Sequence, residues 1–426
     1  MLWIDIIFWM TYIISLYLTI FLVLTFFEAP MRKKKSTLTK YPFISVIIPA
    51  YNEEKTIADT MKSVFSIDYP KNLIELIVVN DGSNDNTLKL AEKTSKNANG
   101  ISVKIIDQKN AGKGAAMNNA IRQAKGEFIV SLDADSFVSP QTLKKMVPYF
   151  EDDQIASVSA IMKVRNPKTM VQKMQWLEYI LYAFVKIILS SIHCIHVTPG
   201  PFSMYRKKVI QLLGGFDEKS IVEDQEIAYR LQKNHYKLAQ TYDGDVTTIA
   251  PSTLKTLYKQ RNRWFKGSIM TLYDYRSLIF NKKYGDFGMF QLPSIVSGML
   301  LLLVVILMFV KGVLVPLYEQ LHQLALLNFD LFLYYNTTFS NIFAGFLNTI
   351  FSYDYAKLFV IVIMLMINLA IIIKAHKYTD EKIKVKYIIP LILFFIVYYL
   401  ILSFMWIISI IDLIRTKRTH SVSWKK

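Results

Sequence analysis

Polar and apolar positions divide the chain into distinct territories. Residues 2–27 (LWIDIIFWMTYIISLYLTIFLVLTFF) form an apolar run broken only by Asp5, and further apolar runs lie at about 289–317, 355–373 and 387–411. Each is close to the about 20 residues a helix needs to cross the hydrocarbon core of a bilayer. Between the first and second lies a stretch of mixed polarity long enough for a complete domain. Residues 43–50 (FISVIIPA) open it as a continuous β-branched and apolar run, the pattern of a strand buried on both faces. Residues 53–66 change to helical spacing, with Ile57, Met61, Val64 and Phe65 on one side. The alternation continues through a strand at 74–79 (IELIVV), a helix at 85–96, a strand at 103–107 (VKIID), a helix at 114–124 and a strand at 128–135 (FIVSLDAD). Strands alternating with helices predict a mostly parallel, Rossmann-like α/β sheet covered on both faces. Such sheets bind ligands beyond the carboxyl ends of their strands.

Residues 176–197 (WLEYILYAFVKIILSSIHCIHV) are nearly apolar enough for a span, yet Glu178 and Lys186 interrupt them. Terminal Trp and Tyr and an embedded lysine fit an amphipathic helix in the membrane interface. A buried core helix is the other reading. The first apolar run lacks the basic start and small-residue cleavage site of a signal peptide, so it reads as an anchor. Arg32-Lys33-Lys34-Lys35 follow it and, by the positive-inside rule, hold the next domain in the cytoplasm.

Composition adds little to this outline. The 426 residues, 53% of them hydrophobic, suit two or three domains. The net charge of +17 lies largely at span ends and around the expected cytoplasmic domain, where anionic lipid attracts it. No nucleic-acid motif accompanies it, and no nucleic-acid partner is expected. The single cysteine, Cys194, excludes an intrachain disulfide and a CxxC metal site. The expected organisation is an N-terminal transmembrane helix at 1–30, a cytoplasmic domain at 31–286 with interfacial pieces near 176–197 and 258–275, a transmembrane region at 287–414 and a basic tail at 415–426.

Candidate chemistry falls at the predicted strand ends. Asp133-Ala134-Asp135 closes one strand, where two carboxylates one residue apart can reach a divalent cation and the phosphates it bridges. Few, hard oxygen ligands suit Mg²⁺ or Mn²⁺ completed by substrate phosphate. A lone DxD is also a common solvated turn. Asp81, in VVNDGSND, is either a helix N-cap or an acceptor for a nucleoside. Glu223-Asp224, in SIVEDQEIAYRL, is either helix capping or the source of a carboxylate that takes a proton from an attacking hydroxyl.

The order of these signals is more specific than any one of them. PAYNE at 49–53, VNDGS at 79–83, GKGAAMN at 112–118, DAD at 133–135, ED at 223–224 and QRNRW at 260–264 follow one another along residues 43–270. This series resembles family 2 glycosyltransferases of the GT-A fold. With QxxRW it is similar to the membrane-embedded processive β-glycosyltransferases: hyaluronan, chitin and Nod-factor oligosaccharide, poly-N-acetylglucosamine and cellulose synthases. The resemblance implies that Tyr51 and Glu53 lie near the uracil and ribose, that Asp81 contacts the nucleoside and that Lys113 lies close to the nucleotide. It implies a metal and diphosphate site at Asp133 and Asp135, with Mg²⁺ or Mn²⁺ as cofactor. It makes Asp224 the general base, beside Glu223, and assigns Gln260, Arg263 and Trp264 to the substrate. Val222 stands where the family often has threonine, a departure that spares both carboxylates.

The implied reaction is one inverting displacement from a UDP-sugar, with Arg263 offsetting charge on the departing diphosphate and Trp264 offering its ring to the acceptor sugar. TPGPFSMYR at 198–206 resembles the acceptor-side segment of synthases of N-acetylglucosamine-containing polymers, and it is equally a proline–glycine turn. The expected donor is UDP-N-acetylglucosamine or a related UDP-sugar. The expected acceptor is a growing polysaccharide, or in the alternative a polyprenyl phosphate or other lipid-linked acceptor. A transporter or receptor with a degenerate sugar-nucleotide domain is a third possibility, opposed by the intact Asp133, Asp135, Asp224 and Arg263. Membrane lipid is the remaining partner and the cell membrane the expected location, with synthesis coupled to export.

The topology is not closed by charge alone. Residues 312–356 lack Lys and Arg, while 374–386 (KAHKYTDEKIKVK) and the tail RTKRTHSVSWKK both have cytoplasmic character. One span between the last two conflicts with that, unless the chain bends back near Pro390. The resemblance favours a cytoplasmic tail, with Trp424 near the mouth of the site, and an additional span near 324–350 is a further possibility.

Overall fold

The computed structural model describes residues 2–28, 41–330, 332, 355–381 and 387–415. The Arg32–Lys35 cluster, most of the segment at 324–350, residues 382–386 and the tail with Trp424 lie outside the described residues.

The mixed-polarity region forms one eight-stranded sheet from β1 (Ile44–Ala50), β2 (Ile74–Asp81), β3 (Ser102–Gln108), β4 (Phe128–Ser131), β5 (Ser136–Val138), β6 (Ile155–Val164), β7 (Ser203–Arg206) and β8 (Lys237–Thr248). Their spatial order is β3-β2-β1-β4-β7-β6-β8-β5. The first four are mutually parallel, β7 is antiparallel to both neighbours, β6 and β8 are parallel, and β5 is antiparallel to β8. This is the mostly parallel, Rossmann-like sheet the alternation predicts.

Its core follows from the two-residue period of a strand. Along β1, Ile44, Val46 and Ile48 enter one hydrophobic core while Ile47 enters the core on the other face. β2 divides likewise, with Ile74, Leu76 and Val78 against Ile77 and Val79. All are essentially inaccessible to solvent, and burying each such side chain contributes about 1.5–3 kcal/mol. The helix Ile57–Phe65 covers the first face with Ile57, Met61, Val64 and Phe65, the stripe expected from spacing. The helix Lys113–Gln123 covers the second with Ala116, Met117, Ala120 and Ile121.

Two boundaries differ from expectation. The strand expected at 128–135 stops at Ser131, so Asp133 and Asp135 stand in the turn between β4 and β5. The helix expected at 176–197 is Met170–Ser191. It starts earlier because Thr169 and Gln172 form a capping box that ties down its first turn. Thirteen of its 22 residues are buried, for it lies between β6 and β8 on one side and apolar helices on the other.

Among the described residues, three helical segments are long and apolar enough to cross a membrane: Trp9–Phe27, Phe287–Leu326 and Ile388–Arg415. The second, 40 residues, extends well past the run expected at 289–317. The run at 355–373 is part of the helix Tyr355–Thr379. Apolar contacts join these segments to the sheet domain. Phe21 of the first segment stacks on Phe290 of the second with ring centroids 3.6 Å apart, and Trp176 of the helix Met170–Ser191 stacks on Tyr387, just before the third, at 4.2 Å.

Candidate active site

The carboxyl ends of β1 and β2 form one wall. Asn52, with φ of 56°, turns the chain after Tyr51, and its side-chain oxygen accepts from the Asn84 N–H at 2.9 Å. Its own N–H donates to Ser83 Oγ at 3.0 Å, and the Glu53 N–H donates to Thr87 Oγ1 at 2.8 Å. The Tyr51-Asn52-Glu53 turn and the turn after Asp81 are thereby laced together. The Glu53 carboxylate accepts from Thr56 Oγ1 at 3.0 Å. Asp81, at the end of β2, is buried and accepts from Gln108 Nε2 and from the N–H groups of Ala111 and Gly112, all within 2.9 Å. Its carboxylate thus shapes the loop that delivers Lys113.

Lys113 is the centre of the charge cluster. Its Nζ lies 2.7 Å from Asp133 Oδ1 and 2.7 Å from Glu223 Oε1. Burial alone would depress the ammonium, but Asp133, Glu223 and Asp224 outweigh it and hold Lys113 well above the lysine range. Burial would raise the Glu223 carboxyl, whereas Lys113 and then Arg263 hold it below the usual carboxylate range. Asp224 and Asp135 go the other way. Burial and then the neighbouring Glu223 push Asp224 up to about 6. Burial and then Asp133 push Asp135 up to about 6.

Glu223 and Asp224 occupy the first turn of the helix Glu223–Lys233. Negative charge is favoured there by the helix dipole. The backbone carbonyl of Asp224 is pinned from TPGPF: the Thr198 N–H donates to it at 3.2 Å and Thr198 Oγ1 at 2.8 Å. Two residues on, Gly200 closes over the Lys113–Asp133 pair. A Cβ there would lie 2.4 Å from Lys113 Nζ and 2.6 Å from Asp133 Oδ1, so this position has no room for a side chain.

The helix Leu254–Asp274 carries Gln260, Arg263 and Trp264 and clasps the Glu223–Asp224 segment from the far side. Arg263 Nη1 donates to the Ile221 carbonyl at 3.3 Å, and Ser268 Oγ donates to Gln225 Oε1 at 2.7 Å. A Cβ on Gly267 would meet Val222 Cγ2 at 2.4 Å, so the valine in place of the family's threonine fills the groove that this glycine leaves. Arg261 lies over the Trp264 ring at 4.4 Å and pairs with Glu178, which also accepts from Tyr398 Oη at 2.8 Å. On another face, Asp412 accepts from Tyr258 and Asn262 at 3.2 Å and lies 3.4 Å from Lys266 Nζ.

The structure thus brings together Lys113, Asp133, Glu223 and Asp224, with Asp135 beside Asp133 and Arg263 close enough to act on both carboxyls of the Glu223–Asp224 pair. Tyr51, Glu53 and Asp81 stand on the β1–β2 wall, and Gln260 and Trp264 on the clasping helix. Thr198 and Gly200 belong to the TPGPFSMYR stretch read from sequence as an acceptor-side segment or a proline–glycine turn, and what the sequence does not reveal is their contact with the Asp224 carbonyl and the Lys113–Asp133 pair. Among the described residues, no group of three or more His, Cys, Asp or Glu converges to hold a metal ion unaided. Asp133 and Asp135 offer two hard oxygen donors, which fits a cation whose other ligands come from a diphosphate.

Residues 45–214 match the family model described as Glycosyl transferase family 2. The chain carries a family 2 glycosyl transferase domain. The poly-beta-1,6-N-acetyl-D-glucosamine synthase of Staphylococcus aureus (strain COL) is 30% identical over 264 residues, covering 59% of this chain and 63% of the relative. The corresponding synthase of Staphylococcus epidermidis is 31% identical over 244 residues, covering 56% of this chain and 58% of the relative. These matches span less than two thirds of the relatives' own length. Among solved structures, a mannosyltransferase from Pyrobaculum calidifontis in complex with GDP-Man and Mn²⁺ superposes with a TM-score of 0.50 at 21% identity, covering 62% of this chain and 75% of that one. The glycosyl transferase domain therefore shares its fold with that enzyme. The comparisons bear out the GT-A architecture expected from the motif order.

Proposed function

We propose that the chain is a membrane-embedded inverting glycosyltransferase that moves a sugar from UDP-N-acetylglucosamine, or a related UDP-sugar, to the end of a growing β-linked polysaccharide. The observation that carries this reading is the position of Asp224. It sits beside the Lys113–Asp133–Glu223 cluster and beneath the helix bearing Gln260, Arg263 and Trp264, where donor and acceptor would meet. The similarity to poly-β-1,6-N-acetylglucosamine synthases supports the choice of sugar.

Asp224 removes the proton from the acceptor hydroxyl as that oxygen bonds to the anomeric carbon. The bond from this carbon to the diphosphate oxygen breaks, and its electron pair departs with UDP. One displacement converts an α-linked donor into a β-linkage and needs only one base, whereas a glycoside hydrolase uses two carboxyl groups. A raised Asp224 carboxyl is a stronger base than an ordinary aspartate and is still ionised at neutral pH. Asp133 and Asp135 would hold Mg²⁺ or Mn²⁺, which supplies charge neutralisation for the leaving diphosphate when bound. Lys113 and Arg263 add fixed positive charge on the same side. Trp264, steadied by Arg261, offers an aromatic face to the apolar side of the acceptor ring. Tyr51, Glu53 and Asp81 form the nucleoside wall.

The three apolar helical segments support a membrane location, with the transferase domain on the cytoplasmic side and the product exported through the bilayer. The test is incubation of the purified full-length chain with each UDP-sugar and Mn²⁺, and then sizing of the products. Long β-linked chains from UDP-N-acetylglucosamine are expected. A single transfer to lipid would replace the polymer by a lipid acceptor, and absence of UDP release with every donor would overturn the enzyme reading. Radiolabelled polymer confined to the donor side of sealed vesicles would argue against export.

A further inference from the structure

Glu178 interrupts the apolar helix Met170–Ser191, and the reaction proposed above gives it no task. Its carboxylate nonetheless sits where three elements meet. One oxygen, Oε2, accepts from Arg261 Nη2 of the helix Leu254–Asp274 and, at 2.8 Å, from Tyr398 Oη of the apolar segment Ile388–Arg415. Arg261 Nη2 also donates to Tyr398 Oη at 3.4 Å, which closes a triangle. Arg261 is 5% exposed and Tyr398 is fully buried, so this carboxylate stands in for the water both have lost. Trp264 follows Arg261 by three residues and therefore shares its helix face. The guanidinium carbon lies over the Trp264 ring, 4.4 Å from its centroid, well within reach of a cation–aromatic attraction. One face of the ring is thus taken by the cation, and a sugar can stack only on the other. The ring is half-buried and keeps accessible surface. Stability alone is a weak reason for this arrangement. A buried ion pair must offset the hydration both charges lose, and apolar residues of similar size often hold a fold as well or better. A planar guanidinium gripped at one nitrogen has a narrower choice of position than an untethered side chain, and it passes that choice to the ring beside it.

We propose that Glu178 is a positioning residue: acting through Arg261, it holds the Trp264 ring in the orientation that receives the acceptor sugar, and Tyr398 completes the grip from the apolar segment. The assignment rests on the acceptor stacking on Trp264, as proposed above, and adds the groups that hold the ring in place. It also ties acceptor binding to the way the transferase domain is seated on the segment Ile388–Arg415.

Removing Glu178 alone strands the Arg261 charge and weakens the fold, so the test uses the full-length double variant Glu178→Gln, Arg261→Met. Both charges then go together, the glutamine still offers Tyr398 an acceptor, and the melting temperature should stay close to wild type. Two readouts follow, both in detergent with UDP present. The first is acrylamide quenching of the Trp264 emission, taken as the difference between each chain and the same chain carrying Trp264→Phe. The second is calorimetric titration with a β-1,6-linked N-acetylglucosamine tetrasaccharide. In the double variant Trp264 should become more quenchable and the tetrasaccharide should bind about fivefold or more weakly, the scale of a lost cation–aromatic contact, while UDP affinity is retained. Tyr398→Phe keeps the ion pair and should shift both readouts in the same direction by less; if the double variant does not fold, this variant decides. Unchanged quenching, or unchanged tetrasaccharide affinity, overturns the assignment, as does equal weakening of UDP binding or absence of tetrasaccharide binding by the wild-type chain. Should the wild-type chain bind the tetrasaccharide in this Glu178-dependent way but release no UDP from any UDP-sugar, the proposed transfer falls and the positioning role stands.

Discussion

The two ends of the catalytic cluster are built differently. On the donor side, Lys113 bridges Asp133 and Glu223, Gly200 seals the pair, and Asp81 braces the loop behind them. On the proposed acceptor side the Gln260 side-chain oxygen is buried with no hydrogen-bond partner among the described residues, and burial and then Glu223 push the Asp224 carboxyl up to about 6. The contrast teaches which half is organised in advance. Under the proposed function, the donor half would hold its charges as mutual pairs that a diphosphate and cation enter by exchange, while the acceptor half would offer the base.

The substitution expected to separate the halves most sharply is Asp224→Asn. It should lower transfer by about 10²–10⁴-fold while UDP affinity, set by the other half, is retained. Appreciable turnover in that variant would remove Asp224 from the role of base. Gly200→Ala attacks the donor half instead. Its methyl group forces Lys113 and Asp133 apart, and a displacement on the ångström scale should cost about 10²-fold in kcat/KM together with weakened UDP binding. Wild-type UDP affinity in this variant would show that the pair is dispensable.

Acid should act on Asp224 before it unfolds the chain. The proposed base works as carboxylate, and a carboxyl pushed up to about 6 predicts that kcat/KM falls about tenfold per pH unit below about pH 6. Because the raised carboxyls of Asp224 and Asp135 bind protons more tightly in the folded state than in the unfolded one, these two groups stabilise the fold as pH drops through this window. Circular dichroism recorded alongside activity should therefore show loss of rate in a folded protein, and a profile flat from pH 7 to pH 5 would contradict the titration. The smallest effect is expected from Thr198→Val. It removes one of two hydrogen bonds to the Asp224 carbonyl, so transfer should fall only a few-fold, with acceptor kinetics affected and UDP affinity unchanged.

The parallel half of the fold is legible because β1 and β2 are unbroken apolar runs buried on both faces, and the intervening helices show their apolar stripe. The other half is not. β6 is rich in serine and its pairing with β8 slips register twice, while β7 is four residues long, so neither presents a clean alternation. The DAD strand reads too long from sequence because FIVSLDAD carries no stop signal before the aspartates, whereas the strand ends at Ser131 and the chain turns at Ala134 and Asp135. In the site, the carboxylates can be picked out by type and order, and their convergence cannot, since Lys113 and Glu223 are 110 residues apart and meet only through the sheet. Along the sequence Lys186 is only an interruption in an apolar helix. Three-dimensional packing is what buries it with no hydrogen-bond partner for its ammonium among the described residues.

The helix Leu254–Asp274 meets Asp412 through Tyr258, Asn262 and Lys266, spaced four residues apart, and meets the Glu223–Asp224 segment through Arg263, Gly267 and Ser268. Each residue added to a helix rotates its downstream portion by about 100°. A one-residue insertion between Asn262 and Arg263 would put Tyr258 and Asn262 out of phase with Arg263, Lys266, Gly267 and Ser268, so that either Asp412 loses Tyr258 and Asn262 or Arg263 swings away from Ile221. The number of residues in this segment is therefore fixed by geometry more tightly than the identity of the side chains between the contacts.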